Sequence, residues 1–383
     1  MNASVPGPVE LLAQLVALPS VSSTSPAFDM GNRAVIDLLA SYLESLGFNI
    51  EIQAVNASGS KANLLATLGS GPGGLVLAGH TDTVPFDEAL WSSNPLSLTE
   101  QNGCLLGLGS TDMKGFFPLA IEAARAIVDK PLQQPLIILA TADEESSMAG
   151  ARALAAAGRP RARAAIIGEP TGLKPVRLHK GIMMEAVKIR GSAGHSSDPS
   201  LGRNALDGLH AVLGDLFAFR EELGERYHHP GFDIPVPTLN LGCVHGGDNP
   251  NRICGYVELH IDLRLTPGGD RHSVRDALSR RLERIGQERE LDVQLESLIH
   301  GADAFEEPAD SELVQLAEKL TGHSAEAVAF ATEAPYLQQL GMQTIVMGPG
   351  SIKRAHQPDE YIELDQFKPC IALLQDCIRH YCL

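Results

Sequence analysis

The chain has 383 residues, 44% of them hydrophobic and 20% charged, the composition of a folded globular protein and not of a disordered or fibrous one. Lys and Arg number 30 against 47 Asp and Glu, a formal net charge of −17, which argues against nucleic acid and anionic membranes as partners because both require a basic surface. No apolar run approaches the roughly 18–20 residues that span a bilayer, and the first Lys or Arg is Arg33, so neither a membrane span nor a secretory signal is expected and a cytoplasmic location is.

Helical patterns run over residues 9–18 and 32–46, the second stopped by Gly47, and short strand patterns follow at 49–55, 63–68 and 75–78. Leu75, Val76, Leu77 and Ala78 are apolar without alternation, the mark of a strand buried on both faces, and 135–141 and 164–168 repeat it. Helical stretches at 116–128 and 148–157 lie between these strands, which predicts a largely parallel, helix-covered sheet. From about residue 180 the pattern changes to an alternating strand at 184–190, a long helix at 204–227, strands at 237–244 and 253–265, a charged helix at 272–288 and a strand at 291–298. That order is the order of a split βαβ unit. A helix at 311–320, a buried strand at 344–347 and a final helix at 364–381 return to the first pattern. The expected fold class is therefore α/β, a mostly parallel sheet sandwiched by helices over residues 1–179 and 295–383, with an inserted α+β, ferredoxin-like domain over 180–294. The six cysteines (Cys104, Cys243, Cys254, Cys370, Cys377 and Cys382) form no CxxC pair or disulfide framework and read as reduced thiols, Cys370 and Cys377 as buried small hydrophobes in the last helix.

Acids and histidines gather where these strands end. His80 follows the run 75–78 at its carboxyl end, where open α/β sheets place their ligand sites. His80 and Asp82 are two apart and face one side of extended backbone, so Asp82 can accept from the second ring nitrogen of His80 and fix its tautomer. Asp112 sits in the glycine-rich turn 107–115 before a helix, where an Asp also serves as an ordinary cap. Asp143, Glu144 and Glu145 end the strand 135–141, a poor place for three uncompensated charges. Glu169 precedes Pro170 at the end of another strand, and His356 follows the last strand and the loop 348–351. Each of these is weak alone. Together His80, Asp112, Glu145, Glu169 and His356 make an N and O donor set without thiolate that suits zinc or a related ion such as cobalt. Five ligands are too many for one tetrahedral zinc and right for two that share a carboxylate, and two Zn²⁺ would balance three carboxylates and one hydroxide. Glu144 neighbours a ligand and is read as the general base, reaching a water held by the metals and not a metal itself.

The His80-x-Asp82 element, the turn Asp112-Met113-Lys114-Gly115, Glu144-Glu145, Glu169-Pro170 and His356 resemble, in order and spacing over essentially the whole chain, the di-zinc amidohydrolases and peptidases that include amino-acid deacylases, desuccinylases, aminoacylases and carboxypeptidases. The resemblance implies a zinc-peptidase-like catalytic domain, an inserted lid and dimerisation domain, two Zn²⁺ (or Co²⁺) per subunit, and hydrolysis of the amide of an N-acyl amino acid. It implies that Asp112 bridges the metals, that Glu145 and His356 complete one site and His80 and Glu169 the other, that Glu144 is the base and Asp82 the partner of His80, and that the peptide after Asp112 is cis. It also implies that His195, in the turn Gly194-His195-Ser196, stabilises the oxyanion, often from the partner subunit of a homodimer. The stretches 78–87, 140–145, 249–254, 331–335 and 348–351 point to the deacylase branch, with a related deacylase or a di-zinc aminopeptidase or dipeptidase as alternatives. Asn251, Arg252 and Arg264 are candidates for holding a substrate carboxylate, Arg264 fitting a strand salt bridge equally well. Glu333 is a candidate for a cationic substrate side chain or for a structural role. Lys114 and Lys180 are expected in solvent.

Overall fold

In the computed structural model, which describes residues 5–383, two units can be distinguished. The first takes in the chain up to Arg177 together with Glu307–Glu326 and Thr332–Leu383, and the second is Leu178–Glu306 with Ala327–Ala331. Residues 1–4 of the expected first domain lie outside the described residues. The second unit runs past the expected limit at 294 because the strand Asp292–Ser297 pairs along its length with Met183–Arg190.

In the first unit the strands Leu136–Thr141, Leu75–His80, Ala164–Pro170 and Gln343–Gly348 lie side by side and run parallel. Ala62–Leu68 adds antiparallel to Leu136–Thr141, and Asn49–Ala54 closes that edge as a hairpin partner. Alternate residues such as Leu75 and Leu77, Leu136 and Ile138, and Ala164 and Ile166 join one core with the helices Pro8–Val16, Arg33–Ser45, Phe116–Arg125, Glu312–Thr321 and Phe367–Cys382. The intervening Val76, Ala78, Ile137, Leu139, Ala165 and Ile167 are equally buried, which explains strands apolar without alternation. The helices Ala149–Ala157 and Ala334–Gln339 pack together, the second on Gln343–Gly348. Cys370 and Cys377 are buried, and all six cysteines are free. A small antiparallel sheet of Thr99–Gln101, Cys104–Leu106 and Tyr361–Glu363 is absent from the sequence-based expectation, because three-residue strands carry too little pattern to read.

The second unit is a four-stranded antiparallel sheet in the order Thr238–Gly246, Tyr256–Arg264, Met183–Arg190, Asp292–Ser297. The helices Ala205–Arg226 and Arg271–Arg289 share its core through Leu209, Val212, Leu216, Val274, Leu278 and Leu282. Their starts follow cap chemistry: the Asn204 side chain accepts from Leu206 N–H and the Asp270 side chain from Ser273 N–H. Ile253 and Cys254, expected within the second strand of the pair, lie in the loop before it. Among the described residues no helix is long and apolar enough to cross a membrane.

Candidate metal centre

The carboxyl ends of the parallel strands carry the expected donors. His80 ends Leu75–His80, Glu169 lies in Ala164–Pro170, and Glu144 and Glu145 follow Leu136–Thr141. Two glycines let these strand ends close against the turn that bears Asp112. A Cβ on Gly79 would meet Met113 Cε at 2.5 Å, and one on Gly168 would sit 2.1 Å from the Phe116 ring. Each glycine directly precedes a donor, so the close approach also sets where His80 and Glu169 point. The peptide Asp112–Met113 is cis.

Asp112 stands between two groups of donors. Its Oδ1 is 3.1 Å from His80 Nε2, which is 3.7 Å from Glu169 Oε1. Its Oδ2 is 3.2 Å from His356 Nε2, which is 3.0 Å from Glu145 Oε1. Ligands about 2.1 Å from a tetrahedral zinc lie about 3.4 Å from one another, so the donors around each histidine have about that spacing, and donor atoms of His80, Asp112 and Glu145 also lie within 4.8 Å of one another. Proton placement agrees. His80 Nδ1 is 3.0 Å from the backbone oxygen of Asp82, a pure acceptor, so Nδ1 carries the hydrogen. Nε2 is then the nitrogen turned to the carboxylates, the one that would take a cation.

The electrostatics make the same demand. Burial, then the charge of Asp112, pushes Glu145 above its ordinary range. Burial also pushes Glu144 and Glu169 well up, each aided by the other acids of the cluster and opposed by His80. Burial would raise Asp112 too, but its hydrogen bonds with His356 and His80 outweigh that and hold it low. Hydrogen bonds to Asp112 and Glu145 push His356, which is half exposed, up to about 10. A set of buried carboxylates that resists its own charge, with imidazole nitrogens among them, fits two divalent cations.

Several expectations need correction. The partner of His80 Nδ1 at hydrogen-bond distance is the main-chain oxygen of Asp82, and the Asp82 carboxylate is 3.8 Å away. That carboxylate instead accepts the Glu145 N–H at 3.0 Å, anchoring the loop that carries a donor. The three acids after Leu136–Thr141 are not all uncompensated: Asp143 takes Lys61 at 2.7 Å and Ser22 at 2.9 Å. Asp143 has φ 61°, so the chain has left the strand before Glu144 and Glu145. Lys114 is fully buried, donates to the carbonyls of Leu15 and Leu18, and is pushed down to about 7 by burial. Lys180 is also buried and donates to the Val236 carbonyl, with its ammonium over the Phe232 ring. Both lysines bury a long apolar stem and donate to main-chain carbonyls, which a count of charges in sequence does not reveal.

Glu333 is buried, accepts from Thr141 Oγ1 at 2.8 Å, and is pushed up to about 7 by burial. Its Oε1 has no hydrogen-bond partner among the described residues. Glu360 had no role assigned from sequence, yet it is central to the turn. Its carboxylate accepts N–H groups from Gly109, Thr111 and Asp112 at 3.0, 2.9 and 3.0 Å. The short strand Tyr361–Glu363, paired with Cys104–Leu106, brings it there. Its place four residues after His356 was the available sequence signal.

The remaining candidates belong to the second unit. His195 is exposed, with Nδ1 accepting the Ser197 N–H at 3.2 Å, which leaves Nε2 free to donate. Residues 195 and 252 form an isolated backbone bridge, and Asn251 O accepts the Ser196 N–H. The Arg252 guanidinium contacts Asp248 at 2.5 Å, an exposed pair. Arg264 forks onto Asp262 at 2.8 and 3.0 Å, the strand salt bridge that its sequence position also suggested.

Residues 76–380 match the model of peptidase family M20/M25/M40. The chain is 48% identical over 383 residues to the acetylornithine deacetylase of Photorhabdus laumondii, a match spanning 100% of this chain and 99% of that one. It is 49% identical to the acetylornithine deacetylase of Proteus mirabilis over the same shares. Among solved structures, an M20-family metallo-carboxypeptidase from Sulfolobus solfataricus aligns with a TM-score of 0.76 over 98% of this chain and 99% of that chain, at 18% identity, a likeness of fold.

Proposed function

Because the chain belongs to the peptidase family M20/M25/M40 and is a metal-dependent deacylase, we propose that it hydrolyses N2-acetyl-L-ornithine to L-ornithine and acetate, a step of arginine biosynthesis, in the cytoplasm. The chemistry is carried by one observation: the two oxygens of Asp112 each face a different histidine–carboxylate pair. The substrate rests on the full-length likeness to acetylornithine deacetylases, and the acidic chain suits a cationic substrate.

Two divalent ions, Zn²⁺ or Co²⁺, would be held by His80, Glu169, His356, Glu145 and Asp112. When bound, the ions acidify water and polarise the acyl carbonyl. Glu144 takes the proton of the attacking water and returns it to the amine nitrogen as the C–N bond breaks. The carboxylate of Asp82 holds the Glu145 loop, and Glu360 holds the Asp112 turn, so both act by positioning donors. His195 donates from Nε2 to the developing oxyanion, Asn251 and Arg252 receive the substrate carboxylate, and Glu333 receives the substrate ammonium. Arg264 is left with Asp262. The enzyme acts as a homodimer joined through its second unit.

The test is a comparison of kcat/KM for acetylornithine, acetylcitrulline, acetylmethionine, succinyl-diaminopimelate and a dipeptide. A clear preference for acetylornithine is expected. Preference for the dipeptide or the succinyl substrate overturns the substrate assignment, and no metal-dependent turnover of any of the five overturns the chemistry.

A further inference from the structure

Along Thr238–Gly246, Leu239 and Leu241 belong to the side packed on the helices, and strict alternation would send residues 243 and 245 to that side as well. The register prevents this. Leu241 lies opposite Ile261 and Cys243 opposite His260, so two residues of one strand meet one of the other, and the shift falls between Leu241 and Cys243. Such a bulge re-aims the side chains beyond it. Cys243 and His245 are thereby turned to the sheet face of His260 and Glu258, away from the helix-packed Leu259 and Ile261.

There one ligand atom of each of Cys243, His245 and His260 lies within 4.8 Å of the other two. Cys243 Sγ is 3.5 Å from His245 Nε2, and the rings of His245 and His260 meet edge to face with centroids 5.7 Å apart. Glu258, opposite His245, lies 2.8 Å from His260 Nε2 and accepts the Tyr256 hydroxyl. Those two hydrogen bonds, first from Tyr256 and then from His260, hold the Glu258 carboxyl below its ordinary range. Cys243 and His245 are exposed, so an ion reaches them directly from solvent.

We propose that Cys243, His245 and His260 bind one zinc-class divalent cation per chain, at a site in the second unit separate from the metal centre of the first. A thiolate with two imidazoles is a borderline-soft donor set, the kind that takes zinc with a fourth position filled by a carboxylate or water, and Glu258, hydrogen-bonded to His260, is the neighbouring carboxylate. Binding displaces the thiol proton of Cys243 to solvent, while both imidazoles bind neutral. The ion ties the edge strand Thr238–Gly246 to its sheet neighbour Tyr256–Arg264 across the bulge, where the ladder is interrupted.

Sulfur distinguishes the two centres, because none of His80, Asp112, Glu145, Glu169 and His356 is a thiolate. The experiment strips the full chain of metal under a phosphine reductant, reloads it with Co²⁺, and reads both stoichiometry and the near-ultraviolet thiolate-to-cobalt band. The parent chain shows the band and binds one equivalent more than Cys243→Ser, which loses the band and keeps its hydrolytic activity when zinc-loaded. His260→Ala weakens that equivalent by about tenfold or more. Absence of the band in the parent, or a band and stoichiometry unchanged in Cys243→Ser, overturns the site. Neither result bears on the centre of the first unit, whose loading is followed by activity.

Discussion

The carboxylate of Glu360 accepts the backbone N–H of Asp112 at 3.0 Å, across a separation of 248 residues. With the N–H groups of Gly109 and Thr111 on the same carboxylate, it sets the turn from which Asp112 faces both histidines. Glu360→Gln replaces one acceptor oxygen with a donor that opposes an N–H. The variant is expected to weaken metal binding by about 10–100-fold, measured by titration against a chelator, with activity restored at high metal concentration. Unchanged affinity would show that the turn holds its shape without this carboxylate.

Glu144→Ala should keep both metal ions and the fold while kcat drops by about 10²–10⁴. Metal content and thermal unfolding are read alongside turnover. A near-normal kcat removes Glu144 as the base.

Removing metal should abolish hydrolysis, and zinc or cobalt should restore it. It should also destabilise the protein, since an ion at about 100 times its Kd contributes about 2.7 kcal/mol per site and its loss leaves Glu145 and Glu169 buried without a counter-charge. Calorimetry of the stripped and reloaded forms measures the shift in Tm. Full activity in a metal-free preparation would sink the mechanism.

Gly168→Ala puts a methyl group about 2 Å from the Phe116 ring, far inside contact distance. Overpacking of this kind costs about 1–3 kcal/mol, and the shift falls on the strand end that carries Glu169. Both Tm and metal affinity should fall. If only Tm falls, the strand end relaxes without moving its donor.

His195→Ala should lower kcat by about 10²–10³ with a smaller change in KM, as expected for a hydrogen bond made to the oxyanion and not to the ground-state carbonyl. A change confined to KM would assign His195 to substrate binding.

What the residue pattern determined by itself is local. Runs such as Leu75–Ala78, apolar on both sides, announce doubly buried strands, and the donors after them follow because side-chain direction and strand ends are set by nearest neighbours in the chain. The identities of His80, Asp112, Glu145, Glu169 and His356 as one N and O donor set, and the split βαβ order of the second unit, belong to that level. Tertiary structure decided which groups meet across long separations. Glu360 reaches the Asp112 turn only because Tyr361–Glu363 pairs with Cys104–Leu106, and Lys114 is buried only because Leu15 and Leu18 offer it carbonyls. It also decided where periodicity breaks: at Asp143, whose left-handed backbone ends the strand, and between Leu241 and Cys243, where a bulge turns a thiol and an imidazole to the opposite face. Such contacts depend on which elements become neighbours, a property of the packed whole that no local window contains.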